Sequence, residues 1–325
     1  MLTKQDLLGL VKAAKGVGYA VWAPVRRDDM VLLERIEEAG SVDLNHVLTV
    51  NTLKDVLLPR YEPLARFDLD SRAVDPVSDP EDRVLILGNR PCDAAGMDIL
   101  DSILLGEVRD KRYADRRERT VIVTVACSSF DEACFCSSMG YGPHDTTGSD
   151  VLLLPKGDAY LVRTITKKGR NLLAELSILE DVDAEADPPP ELTRAVDTEG
   201  LKAWLDSNFD DPKWQGVSEN CISCGTCYYL CPTCHCFDIA DEAGISRGER
   251  LRIWDCCSFS GFTRMASHQP RVGRHARYRQ RVMHKFKYTV DNVDRVACVG
   301  DGRCIRHCPT GVDICEILES LTGKE

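Results

Sequence analysis

Cys221-Ile222-Ser223-Cys224-Gly225-Thr226-Cys227-Tyr228-Tyr229-Leu230-Cys231-Pro232 decides how the rest of the chain is read. The spacing is C-x2-C-x2-C-x3-C-P. Three thiolates this close on a tight loop can each take one iron of a cubane, while the fourth points away and serves a second cluster. Gly225 lets the loop turn and brings backbone N–H groups toward the sulfides. Pro232 redirects the chain after the fourth ligand. A zinc ion would need only four such ligands and would leave the second copy of the pattern without a role.

That second copy is Cys298-Val299-Gly300-Asp301-Gly302-Arg303-Cys304-Ile305-Arg306-His307-Cys308-Pro309. It matches the first position by position, except that Asp301 stands where the second cysteine belongs. The flanking spacings are kept, so this is a substitution and not a shift of register. A carboxylate is anionic and binds iron through oxygen, as a harder ligand than thiolate. Either Asp301 ligates the fourth iron, or it faces solvent and the site holds a three-iron cluster or a water. Paired ferredoxin-type motifs exchange their fourth ligands. Cluster I then takes Cys221, Cys224, Cys227 and Cys308, and cluster II takes Cys298, Asp301, Cys304 and Cys231.

Upstream, residues 1–205 read as an α/β domain. Apolar residues three and four apart predict helices over Gln5–Ala14 and Asp29–Ala39. Arg83–Gly88, Thr120–Ala126, Asp150–Leu154 and Tyr160–Thr166 read as strands. Ala94–Leu105 reads as the helix after the first of these, which suggests an α/β unit. Residues 180–191 are acidic, end in Pro188–Pro190 and read as a linker, with a helix over Glu191–Asn208 after it. The boundary falls near 205–218. The fold expected is therefore an α/β N-terminal domain followed by an α+β ferredoxin-like domain, residues 206–325, with two [4Fe-4S] clusters and a long insertion at 237–297.

The chain has 16 cysteines. Cys92 and Cys127 follow the ends of predicted strands, which in an open parallel sheet line one edge where ligands bind. Cys134 and Cys136 follow in a loop. These four predict a third cluster, with a rival site using Cys234, Cys236 or Cys257. The Cys256-Cys257 pair also raises catalytic disulfide chemistry, though its spacing to other cysteines fits poorly. Cys315 lies on the apolar side of a helix over Val312–Leu321 and reads as core. His144, His235 and His307 read as donors near sulfur and not as ligands. Arg271, Arg274, Arg277, Arg279, Arg281, Lys285 and Lys287 form a basic stretch in the insertion, read as partly facing the clusters and partly a partner surface.

The sequence resembles the iron–sulfur beta subunits of cytosolic sulfhydrogenases, which are NADP-linked nickel–iron hydrogenases. It is also similar to the A subunit of anaerobic sulfite reductase and to iron–sulfur subunits of flavin oxidoreductases that feed heterodisulfide reductase. The resemblance rests on Arg90-Pro91-Cys92-Asp93, Cys134-Phe135-Cys136-Ser137-Ser138-Met139-Gly140, Cys231-Pro232-Thr233-Cys234-His235-Cys236-Phe237-Asp238, Trp254-Asp255-Cys256-Cys257 and the second cluster motif. It implies an electron relay between a flavin subunit that binds NAD(P) and a second redox subunit: a hydrogenase, a sulfite reductase or a heterodisulfide reductase. Such subunits often carry cysteine at the position of Asp301. The alternative is a subunit that itself reduces sulfite, polysulfide or a heterodisulfide at an unusual cluster.

Composition narrows the classes further. The net charge of −11 argues against general affinity for nucleic acid. No apolar run approaches the ~18 residues of a membrane span. No basic stretch leads into an apolar core after Met1, so the sequence predicts no secretion signal and a cytoplasmic protein. There is no G-x-G-x-x-G after a strand and no P-loop, so FAD and NAD(P) are expected on a partner subunit.

Overall fold

The computed structural model describes residues 1–80, 82–178 and 184–323. Its strands are β1 (Leu2–Thr3), β2 (Tyr19–Arg27), β3 (Met30–Arg35), β4 (Tyr61–Asp68), β5 (Val74–Pro76), β6 (Arg83–Asn89), β7 (Thr120–Val125), β8 (Val151–Lys156), β9 (Ala159–Thr164), β10 (Phe237–Ala243) and β11 (Arg247–Trp254). The chain divides into two compact units. The first is Met1–Leu53, Asp82–Val196 and Cys298–Arg303; the second is Lys54–Glu81, Asp197–Ala297 and Cys304–Glu325.

The first unit is built on a seven-stranded sheet in the order β1-β9-β8-β7-β6-β2-β3. The four inner strands β2, β6, β7 and β8 pair in parallel. Strand β7 is Val- and Ile-rich and buried throughout, as a parallel strand covered on both faces must be. Pro91 opens the helix Pro91–Leu104, where its fixed φ suits the first turn and its missing N–H costs nothing. This helix leaves the end of β6, so Cys92 sits at the carboxyl edge of the parallel strands, and Cys127 follows β7 at the same edge.

The second unit has a four-stranded antiparallel sheet, β10-β11-β4-β5. Inside it a buried Arg252–Glu62 ion pair at 2.5 Å ties β11 to β4. The helix Arg274–Met283 runs on into a π-helical turn, His284–Tyr288, and then Thr289–Val293.

Several sequence expectations change. Residues 29–39 are not a helix. Asp28, at φ 50°, turns the chain, and β3 pairs antiparallel with β2 with alternating burial. The helix expected over 191–208 is confined to Leu201–Ser207, because the proline-rich stretch before it stays irregular. Residues 180–183 of the expected linker lie outside the described residues. The division of the chain is also less simple than a single cut near 205. Residues 61–76 carry β4 and β5 into the sheet of β10 and β11, while 298–303 join the first unit. The insertion at 237–297 is a β-hairpin followed by helices. Cys315 is 2% exposed in the helix Ile314–Thr322, as expected of core.

Candidate metal centres

In the second unit, Cys221, Cys224, Cys227 and Cys308 line one hollow of about 450 Å³ (its open mouth included), with Cys304 in the wall. The chain makes the hollow by turning sharply at Ser223, φ 58°, and Gly225, φ 81°. A Cβ on Gly225 would lie 2.7 Å from the Phe259 ring and 3.3 Å from Cys256 Sγ, so the position has no room for a side chain. The N–H of Ser223 donates to Cys221 Sγ at 3.4 Å, and the N–H of Val312 donates to Cys308 Sγ at 3.2 Å. Burial raises the Cys308 thiol, but donation from the Thr310 hydroxyl and from the N–H groups of Thr310, Val312 and Gly311 outweighs it, so the thiol is drawn below its ordinary range. Those donors stabilise negative charge on sulfur, which a thiolate-held cluster carries. Burial drives Cys227 the other way, up to about 12, the direction that binding to iron reverses. The residues present therefore fit an iron–sulfur cluster.

Arg281 is 3% exposed on the wall of this hollow and donates to Cys227 O at 2.9 Å. The π-helical turn aims Lys285 at a neighbouring sulfur. Its Nζ lies 3.1 Å from Cys231 Sγ, 2.9 Å from Thr233 Oγ1 and 2.7 Å from Ala297 O. The Cys234 thiol and Lys285 together hold Cys231 well below the ordinary thiol range. Arg279 and Lys287, by contrast, make surface ion pairs with Asp210 and with Asp206 and Asp291. The basic stretch thus splits between sulfur-facing and surface cations. His235 bonds to Thr233 O through Nδ1 at 3.0 Å.

The first unit has a comparable hollow of about 400 Å³, again with its mouth included. It is lined by Cys92, Cys127, Cys134, Cys136, Arg90 and Asp301. The sequence proposed these four cysteines as one set, and they do line one cavity. The Cys127 N–H is fixed on Pro143 O at 2.9 Å, and Tyr141 N donates to Cys136 O at 3.1 Å. Burial pushes Cys127 up to about 11 and Cys136 up to about 12. Here the chemistry of the donor set, four half-buried thiols with a buried guanidinium, again suits an iron–sulfur cluster.

The turn of the second motif is packed onto this wall. A Cβ on Gly300 would meet Cys136 Cα and Phe135 O at 2.5 Å, and one on Gly302 would meet Ala133 O at 2.1 Å. The two glycines hold Asp301 between them. Asp301 Oδ2 accepts from Arg303 Nη1 at 2.7 Å, and Arg303 also pairs with Asp93 at 2.8 Å. Arg303 is 1% exposed and donates further to Thr49 O at 2.9 Å and Val50 O at 3.2 Å. Sequence reasoning missed Arg303. Its signal was present only as a basic residue inside a cluster motif. Of the four residues expected at cluster II, Cys298 and Asp301 belong to the first unit and Cys231 and Cys304 to the second. Among the described residues, no group of three or more His, Cys, Asp or Glu side chains stands where it would hold a single metal ion, and no helix is long and apolar enough to cross a membrane.

Over 313 residues, covering 93% of this chain and 92% of the relative, the sequence is 28% identical to Sulfhydrogenase 2 subunit beta of Pyrococcus furiosus. No solved structure matches the chain. Residues 220–312 match the family model described as a 4Fe-4S dicluster domain. The chain thus carries a 4Fe-4S dicluster domain in its C-terminal part, and its likeness to a sulfhydrogenase beta subunit runs over nearly its whole length.

Proposed function

We propose that this chain is an electron-transfer subunit. It relays electrons through [4Fe-4S] clusters between a flavin subunit that binds NAD(P) and a second redox subunit, a hydrogenase in the first instance. The observation that carries this reading is the hollow framed by Cys221, Cys224, Cys227 and Cys308, with N–H donors aimed at its sulfurs. Cys224 is exposed and Ile222 beside it is 58% exposed, which gives that site an apolar rim at the surface where a redox partner can approach.

The ligand sets follow the motifs: Cys221, Cys224, Cys227 and Cys308 for cluster I; Cys298, Asp301, Cys304 and Cys231 for cluster II; Cys92, Cys127, Cys134 and Cys136 for a third. At cluster II, Arg303 orients the Asp301 carboxylate in the way that outer partners orient ligating carboxylates. A chain with so many free thiols belongs in a reducing compartment, the cytoplasm.

The isolated chain, reconstituted with iron and sulfide, should bleach on addition of dithionite and reduce no sulfite, polysulfide or disulfide. Steady turnover of any of these with an artificial electron donor would overturn the relay and make the chain an enzyme in its own right.

A further inference from the structure

The dicluster motifs and the hollow of the first unit leave Cys234, Cys236, Cys256 and Cys257 unassigned. We propose that these four residues hold a further iron–sulfur cluster, a second cubane site in the second unit outside the two motif sets. This goes beyond the relay reading, since it stands whether the chain passes electrons on or spends them.

The β10–β11 hairpin builds the site. Its register pairs Phe237 with Trp254, and Asp255 N donates to Cys236 O at 3.2 Å. Cys234 and Cys236 therefore enter the hairpin at the same open end from which Cys256 and Cys257 leave it. Cys256, 0% exposed, and Cys257, 7% exposed, are buried with Tyr228, and the partly buried Cys234 and Cys236 pack against them beside Cys227, Phe259 and Phe262. The N–H of Phe259 donates to Cys256 O at 3.1 Å and turns the chain just after the cysteine pair.

The charge around these thiols points to an anionic occupant. Lys54 is 1% exposed; its Nζ donates to Cys234 O at 2.9 Å and Tyr228 O at 3.3 Å and lies 3.8 Å from the Trp254 ring centre. Arg281 Nη1 lies 4.0 Å from Cys234 Sγ. A cluster held by four thiolates is net negative, and these two buried cations beside it would stabilise its reduced form. The cysteine inventory closes as well. The 16 cysteines less the core residue Cys315, with Asp301 in the remaining place, fill four sets of four.

The test uses the full chain, purified and reconstituted without oxygen. Wild type should hold about sixteen irons and sixteen sulfides. Cys236→Ser/Cys257→Ser should lose about four of each and one of the reduced-state EPR signals, with unchanged circular dichroism. Cys92→Ser/Cys127→Ser should lose a different signal, which separates this site from the third cluster. Lys54→Met keeps all four thiols and should move the midpoint of the signal lost in Cys236→Ser/Cys257→Ser to lower potential. Full iron retention in the double variant overturns the proposal, as does zinc in place of iron. If the double variant fails to fold, an unmoved set of midpoints in Lys54→Met overturns it.

Discussion

In the second unit, three of the five thiols around the first hollow come from one short loop, and the other two, Cys304 and Cys308, arrive from the second motif. In the first unit, the four thiols are spread from residue 92 to residue 136 and meet only because the parallel sheet lines up its strand ends. The two hollows also treat sulfur differently. Around Cys308 the backbone supplies N–H donors that draw the thiol down, and Cys224 is exposed. Burial pushes Cys127 and Cys136 up, as it does Cys227 in the second unit, so the contrast rests on the donor-held Cys308 and the exposed Cys224. Donors and water stabilise the extra charge of a reduced cluster. The comparison teaches that one chain builds two cysteine-lined hollows in different ways, one from a local loop and one from aligned strand ends.

The strongest way to break this comparison is to remove ligands from one hollow at a time. Cys221→Ser/Cys224→Ser and Cys92→Ser/Cys127→Ser should each cost about four irons per chain and leave the other signals in place. If either pair removed no iron, its hollow would hold no cluster. Next in size is Arg303→Met. It strips the buried partner from Asp93 and Asp301, so the chain should lose about 3–5 kcal/mol of stability in urea unfolding. Arg303→Lys should recover only part of this, since lysine cannot make the several forked contacts. A loss below about 1 kcal/mol would mean that the triad does not brace the turn of the second motif.

Acid sharpens the comparison with a smaller effect. His46, near Arg90 in the first unit, is lowered to about 3 by burial and by that arginine. The unfolded chain takes up a proton between pH 6.5 and about 3 that the folded chain refuses, so this contribution is present above pH 6.5 and lost as pH falls toward 3. His46→Gln should flatten that limb of the stability curve by a few kcal/mol, on the order expected from linkage. An unchanged limb would assign the acid sensitivity elsewhere. The smallest effect is on potential. The cluster of the first unit should titrate at lower potential than cluster I in EPR-monitored reduction. The reverse order would contradict the electrostatic contrast.

The sequence made the second unit's hollow legible because its ligands are contiguous: the spacing around Cys221 needs no tertiary information. The set of Cys92, Cys127, Cys134 and Cys136 was legible only through the inference that β6 and β7 run parallel, which their continuous apolar runs support. Residues 29–39 misled because Met30–Arg35 carries apolar residues that fit a helical and an alternating pattern equally well, and the turn at Asp28 decided between them. The transfer of 61–76 into the sheet of β11 was hidden, since strand pairing across so long a stretch of chain leaves no local signal. Arg303 was hidden for a related reason: its acceptors, Thr49, Val50 and Asp93, are distant in sequence.

Coulometric titration of the reconstituted full chain, followed by EPR, tests the central claim most directly. An electron relay with clusters in both units should take up one electron per cluster in separate one-electron waves, and Cys92→Ser/Cys127→Ser should remove one wave and spare those that depend on Cys221 and Cys224. A chain that takes up electrons in a single wave, or whose waves all survive the loss of Cys92 and Cys127, would contradict it.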